Sequence, residues 1–79
     1  MQPQQIEQIL KDHLPDCDVR VSGDGYHYEL VVIGGVFAGL SAVRRQQLVY
    51  QALQDLIVSG DVHAVQIKAY TPQEHLAHG

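Results

Sequence analysis

An α+β domain, with helices on one face of a three-stranded sheet, is the fold class that the sequence predicts, and three observations carry the prediction. Two strand-like stretches, one around Val19 and Val21 and the other "YHYELVVIG", flank Gly23-Asp24-Gly25 and read as a hairpin. Apolar residues recur at helical spacing in two segments, one near the start of the chain and one between positions 41 and 60. A third alternating stretch follows the longer helix, which therefore serves as a crossover, and the third strand should run parallel to the second.

Ile6, Ile9, Leu10 and His13 set the phase of the first helix, over 4–13, which lies between Pro3 and Pro15. Lys11 and His13 fall at its C-terminal end, where the helix dipole favours cations. The second strand of the hairpin is the more apolar and should be the more buried; Gly34-Gly35 ends it, and "VFAGLS" reads as a loop carrying Phe37 inward. Ser41 is the expected N-cap of the long helix, whose apolar face includes Val49, Ala52, Leu53, Leu56 and Ile57 and which stops before Gly60. Val62 to Tyr70 forms the last strand, with His63, Val65, Ile67 and Ala69 on one face and Gln66 and Lys68 on the other. Thr71-Pro72-Gln73-Glu74 supplies an N-cap, a proline at the first helical position and an acidic first turn, and opens a short closing helix with a frayed end at His78 and Gly79.

Seventy-nine residues make a single domain, 1–79, and a chain of this size buries only a little over ~60% of its unfolded surface, so its core is thin. The 46% hydrophobic and 18% charged composition is that of a globular protein, and no apolar run approaches the roughly 18 residues of a membrane span. The opening Met1-Gln2-Pro3-Gln4-Gln5 lacks the basic and apolar regions of a signal peptide, so a cytoplasmic location is expected. A lone cysteine, Cys17, excludes an internal disulfide and a four-cysteine zinc site. The net charge of −4 argues against a broad grip on nucleic acid, for which Lys11, Arg20, Arg44, Arg45 and Lys68 are the available cations. Five histidines, His13, His27, His63, His75 and His78, concentrate the titratable and metal-capable chemistry.

The run "VFAGLSAVRRQQLVYQAL" followed by "VHAVQIKAYTPQEHL" resembles the BolA-like family, in its IbaG branch. The first segment carries the Phe, Gly and Val-Tyr positions of the family's loop and helix; the second carries its strand-borne histidine and the Thr-Pro opening of the last helix. The resemblance covers residues 25 to 75, and it implies a class II KH-like fold, α-β-β-α-(α)-β, with a short C-terminal helix packed on a three-stranded mixed sheet. It also implies partnership with a monothiol glutaredoxin around a shared [2Fe-2S] cluster, and older descriptions make members transcriptional regulators or DNA-binding proteins. Two departures stand out. Arg45-Gln46-Gln47 replaces an Arg-His-Arg set common early in the long helix, and His75 stands where a Trp is common.

The phase of His63 points it at Val65 and Ile67, so the residue reads either as a core-edge histidine bonded to a backbone carbonyl or as a ligand. Its place at the start of a strand parallel to the one that begins at His27 puts both imidazoles at one rim of the sheet, although 36 positions separate them. Two imidazoles suit iron or zinc but leave the coordination shell open. The resemblance implies how it closes: a glutaredoxin thiolate and glutathione on one iron, His63 and a residue of the His27 region on the other, with no cluster expected in the isolated chain. Cys17 should lie at the opposite end of the sheet, some ~15 Å away at about 3.3 Å per residue, and act as a small buried apolar residue.

Arg44 falls at the third position of the long helix, where the dipole disfavours a cation by about 0.3–1 kcal/mol. Arg44, Arg45 and Lys68 are therefore candidates for contact with an anion, an acidic partner surface or, weakly, DNA. Phe37, Tyr50 and Tyr70 read as packing residues rather than base-stacking platforms. No nucleophile elbow or paired-carboxylate pattern is present, so an enzyme is not expected. The leading expectation is a non-enzymatic adaptor in iron-sulfur assembly or trafficking, or in iron, redox and acid-stress response, that is a monomer or weak homodimer when alone. A KH-like DNA-binding regulator is the alternative, although the chain has no GxxG loop. A histidine-based pH sensor is the third.

Overall fold

The structure is a computed structural model that describes residues 2–25 and 27–78, His78 by its backbone alone. The chain runs α1 (Pro3–His13), β1 (Asp18–Gly23), β2 (His27–Ile33), a 3-10 turn (Gly35–Phe37), α2 (Ala42–Ser59), β3 (Ala64–Tyr70) and α3 (Pro72–His78). Each boundary has a local cause. Pro3 opens α1, and the Gln5 side chain accepts the Gln2 amide at 2.8 Å. The Ser41 hydroxyl accepts the Arg44 amide at 3.2 Å and starts α2. Gly60, at φ +83°, ends that helix in the left-handed region, where a Cβ is disfavoured.

The sheet order is β1-β2-β3, with β1 antiparallel and β3 parallel to the central strand. Val19 pairs with Val32, and Val21 with Leu30; across the other ladder Tyr28 meets Val65, Leu30 meets Ile67 and Val32 meets Ala69. These residues form one face of the sheet, on which Ile6 and Leu10 of α1 and Val49 and Leu53 of α2 close the core. The opposite face is mostly polar, with Arg20, Ser22, Glu29, Gln66 and Lys68 beside Val31 and a buried Ile33, and Lys68 Nζ lies 3.1 Å from Glu29 Oε1. Period-two alternation in a half-covered sheet produces this division.

Four details differ from the sequence expectation. The segment after Gly34 is a 3-10 turn rather than an open loop, and it inserts Phe37 fully into the core, a burial worth about 1.5–3 kcal/mol. Ile57 is 37% exposed, because the core-facing stripe of α2 is narrower than its apolar positions suggest. Tyr50 is exposed rather than packed, on the same outer side of α2. Finally, β3 begins at Ala64, and alternation fails just before it: Val62 is 2% exposed while His63 is exposed. The Val62 amide donates to the Leu56 carbonyl at 3.2 Å, so the connection folds back beneath the end of α2 and Val62 takes the core position that strict phase gave to His63.

A clasp joins the last helix to the body. Arg45 donates from Nε to the Leu40 carbonyl and from Nη1 to the Ala69 carbonyl, and its fork meets Glu74 at 2.6 and 3.3 Å. Glu74 also accepts the Thr71 amide, and its own amide donates to the Thr71 hydroxyl, so that the N-cap expected from the sequence is a full capping box.

Candidate functional site

His27 and His63 lie at the same end of the sheet, the rim where β2 and β3 begin. In the parallel register His27 is level with Ala64, so His63 stands one residue outside the end of the ladder, next to it. Both residues are exposed, and neither ring has a hydrogen-bond partner among the described residues. Their backbones are nonetheless fixed. The Asp24 carboxylate accepts the His27 amide at 2.9 Å, and the Asp24 amide donates to the His27 carbonyl at 3.3 Å, which ties the hairpin turn to the start of β2. Gly23 permits this close turn, since a Cβ there would collide with the His27 carbonyl and the Tyr28 ring.

On the β3 side, Gly60 turns the chain, Asp61 accepts the Ser59 hydroxyl at 2.8 Å, and Val62 anchors in the core. His63 is thus held between a buried residue and the first ladder position. A shallow cavity of about 460 Å³ adjoins His27, lined in part by Ser22, Glu29, Ala64 and Gln66. Asp24 and Val62 are the positioning residues that sequence reasoning missed; the Gly-Asp-Gly turn was a readable signal for the first, whereas nothing local marked the second.

Among the described residues, no group of three or more His, Cys, Asp or Glu side chains is placed to hold a metal ion. Among the described residues, the rim therefore offers the two imidazoles and no third ligand grouped with them. Cys17 is not a candidate, because it is buried at the far end of the sheet beside Gly34. Burial, and then the negative charges of Asp16 and Asp18, push its thiol up, which keeps it protonated and poorly nucleophilic.

The candidate cations are not gathered into one patch. Arg44 is exposed in the first turn of α2, at the end of the sheet opposite the histidines. Arg45 is turned inward and engaged with Glu74 and two carbonyls. Lys68 lies on the open sheet face, paired with Glu29. Of the other histidines, His13 Nδ1 is 2.9 Å from the Ile9 carbonyl, and His75 packs its ring 6.3 Å from that of Tyr70; the ring of His78 lies outside the described residues.

A small α+β domain with one helical face, one polar sheet face and a two-histidine rim defines the class, and comparison with known proteins defines the family. The profile of the BolA-like proteins matches residues 3–74, and the chain belongs to that family. It is 43% identical over 74 residues, 94% of this chain and 88% of the relative, to the acid stress protein IbaG of Escherichia coli K12, which sets it in the IbaG branch. A BolA protein homologue from Coxiella burnetii superposes with a TM-score of 0.85 at 36% identity, covering 96% of this chain and 97% of that one. The BolA domain of SufE1 from Arabidopsis thaliana superposes with a TM-score of 0.79 at 31% identity, covering 91% and 93%. No helix among the described residues is long and apolar enough to cross a membrane.

Proposed function

We propose that this protein is a non-enzymatic adaptor that shares a [2Fe-2S] cluster with a monothiol glutaredoxin. The observation that carries the reading is the pair of exposed imidazoles, His27 and His63, at one rim, on fixed backbone, with ring nitrogens that no described residue engages. Imidazole nitrogen suits an iron of such a cluster, and thiolates of the partner and of glutathione suit the other. A site completed by a partner would need no more than two ligands from this chain, and among the described residues no group of three is placed to hold a metal ion. His63 and His27 would be the protein's ligands; Val62 and Asp24 would hold them in place. The likeness to an acid stress protein supports a role in stress response.

A nucleic-acid-binding role is less well supported. Arg45 faces inward, and Arg44 and Lys68 stand on different faces of the molecule, so no continuous cationic track accompanies the net charge of −4. The deciding experiment mixes the protein with a monothiol glutaredoxin, iron, sulfide and glutathione and records the visible absorption and circular dichroism of the complex. His63→Ala should alter or destabilise the spectrum, and the double variant with His27→Ala should abolish the heteromeric species. An unchanged complex and spectrum in the double variant would sink the ligand assignment.

A further inference from the structure

The outer side of α2 carries a stripe that the core does not use. Val43, Gln47, Tyr50, Gln54, Ile57 and Val58 are all exposed, with Val43 at 65% and Val58 at 79%. Steps of three and four residues align these positions along one face of the helix, where Gln51 joins them around a groove of about 330 Å³. None of the seven carries a charge, although the chain as a whole is acidic.

We infer that this face of α2 binds the same face of a second copy of the chain, with the two helices antiparallel. Except at Ile57, the positions of the stripe are symmetric about the point between Tyr50 and Gln51. An antiparallel pair centred there sets Val43 of one copy level with Val58 of the other, Gln47 level with Gln54, and Tyr50 level with Gln51. Valine then meets valine and amides, which both donate and accept, meet amides, while Tyr50 lies over the stem of Gln51 and Ile57 falls level with the methylene stem of Arg44. A two-fold interface requires a patch that complements itself, and a charge-free patch on an acidic protein avoids the self-repulsion that other faces would bring.

The charges beside the stripe support the antiparallel direction. Arg44 and Asp55 are exposed, form no ion pair among the described residues, and flank the stripe on the same side, about 20° apart at 100° per residue. In the antiparallel pair they fall on one flank, with Arg44 of one copy about 3 Å in height from Asp55 of the other at 1.5 Å per residue. Two such pairs form by symmetry, as flanking charges do in coiled coils. One helix face is a small interface, so the association is reversible and concentration-dependent.

Sedimentation equilibrium of the full chain tests the inference at concentrations up to ~1 mM, where even weak dimers are visible. Wild type should dimerise reversibly, and Tyr50→Glu, with an unchanged far-ultraviolet spectrum and melting temperature, should weaken the dimer roughly tenfold or more. Arg44→Glu should weaken it and Asp55→Arg, added to Arg44→Glu, should restore it, which reads the antiparallel register directly. A monomer at every concentration overturns the proposal. So does a dimer indifferent to Tyr50→Glu and Val43→Glu, as pairing through the free edge of β3 would be. A wild-type monomer whose Tyr50→Glu variant loses only glutaredoxin binding assigns the face to that partner and likewise overturns it.

Discussion

Arg45 and Glu74 join α2 to α3 through a two-point contact, at 2.6 and 3.3 Å, across 29 positions of sequence. Hydrogen bonds from the Arg45 guanidinium, followed by the Thr71 amide, lower the Glu74 carboxyl to about 2 from an ordinary 4.5. The folded pKa is the depressed one, so the pair's stabilisation is present above pH 4.5 and is lost as the pH falls through about 2. Glu74→Gln should flatten that part of the pH-stability curve, so that wild type loses more stability than the variant on acidification from pH 5 to 2. Thermal melts across that range check this, and equal acid sensitivity in the two proteins would contradict it.

Arg45→Ala removes the fork and both carbonyl contacts at once, leaving α3 with its capping box but no clasp. Amide hydrogen exchange should rise in residues 72–78 by roughly tenfold or more while the protection of β2 stays near wild type, because terminal elements open locally. Uniform loss of protection over the whole sheet would show that the clasp supports the global fold instead.

His63 and Val62 make a matched pair of controls. Val62→Ala removes buried methyl groups and should cost about 1–3 kcal/mol in urea unfolding, whereas His63→Ala, at an exposed position, should stay within about 0.5 kcal/mol of wild type. Any loss of cluster or partner binding in His63→Ala would then report on the site and not on folding. A large destabilisation by His63→Ala would return that residue to the core edge.

Gly34 and Cys17 are coupled by contact. Gly34 has extended backbone that any residue adopts, but a Cβ on it would collide with the Cys17 Sγ. Gly34→Ala should therefore destabilise by about 1–3 kcal/mol, and adding Cys17→Ala should recover part of that loss. Strict additivity in the double-mutant cycle would place the strain elsewhere.

Cys17→Ser should leave the spectrum of any reconstituted cluster unaltered, since the thiol lies at the far end of the sheet and is kept protonated by burial and two neighbouring aspartates. In the same setting the native thiol should react slowly with a disulfide reagent at neutral pH and speed up on unfolding.

Much of this architecture was legible because its signals are local. Ser41, Gly60 and Thr71-Pro72 mark helix ends through the chemistry of one or two residues, and the structure places caps or stops at each. The shared rim followed from a topological rule, that a helical crossover makes its flanking strands parallel. The side chains of the Val62–His63 step were not legible, because alternation holds only within a paired ladder and β3 pairs from Ala64 onward. Nor was the inward turn of Arg45, which depends on Glu74, a residue brought near only by the completed fold. Sequence spacing marked Arg44 and Arg45 as equivalent cations; long-range packing made one a clasp and left the other in solvent.

The parallel pairing of β2 with β3 has a temporal consequence. His27 and His63 become neighbours only when α2 has crossed the sheet and the ladder from His27 and Ala64 to Ile33 and Tyr70 has closed. Contacts of such sequence separation carry a loop-closure cost that local turns do not. A nascent or partly unfolded chain therefore presents two unrelated histidines, and a partner that needed both would engage only finished molecules. The crossover would then act as an inspection step, built into the topology, that only a completed fold passes.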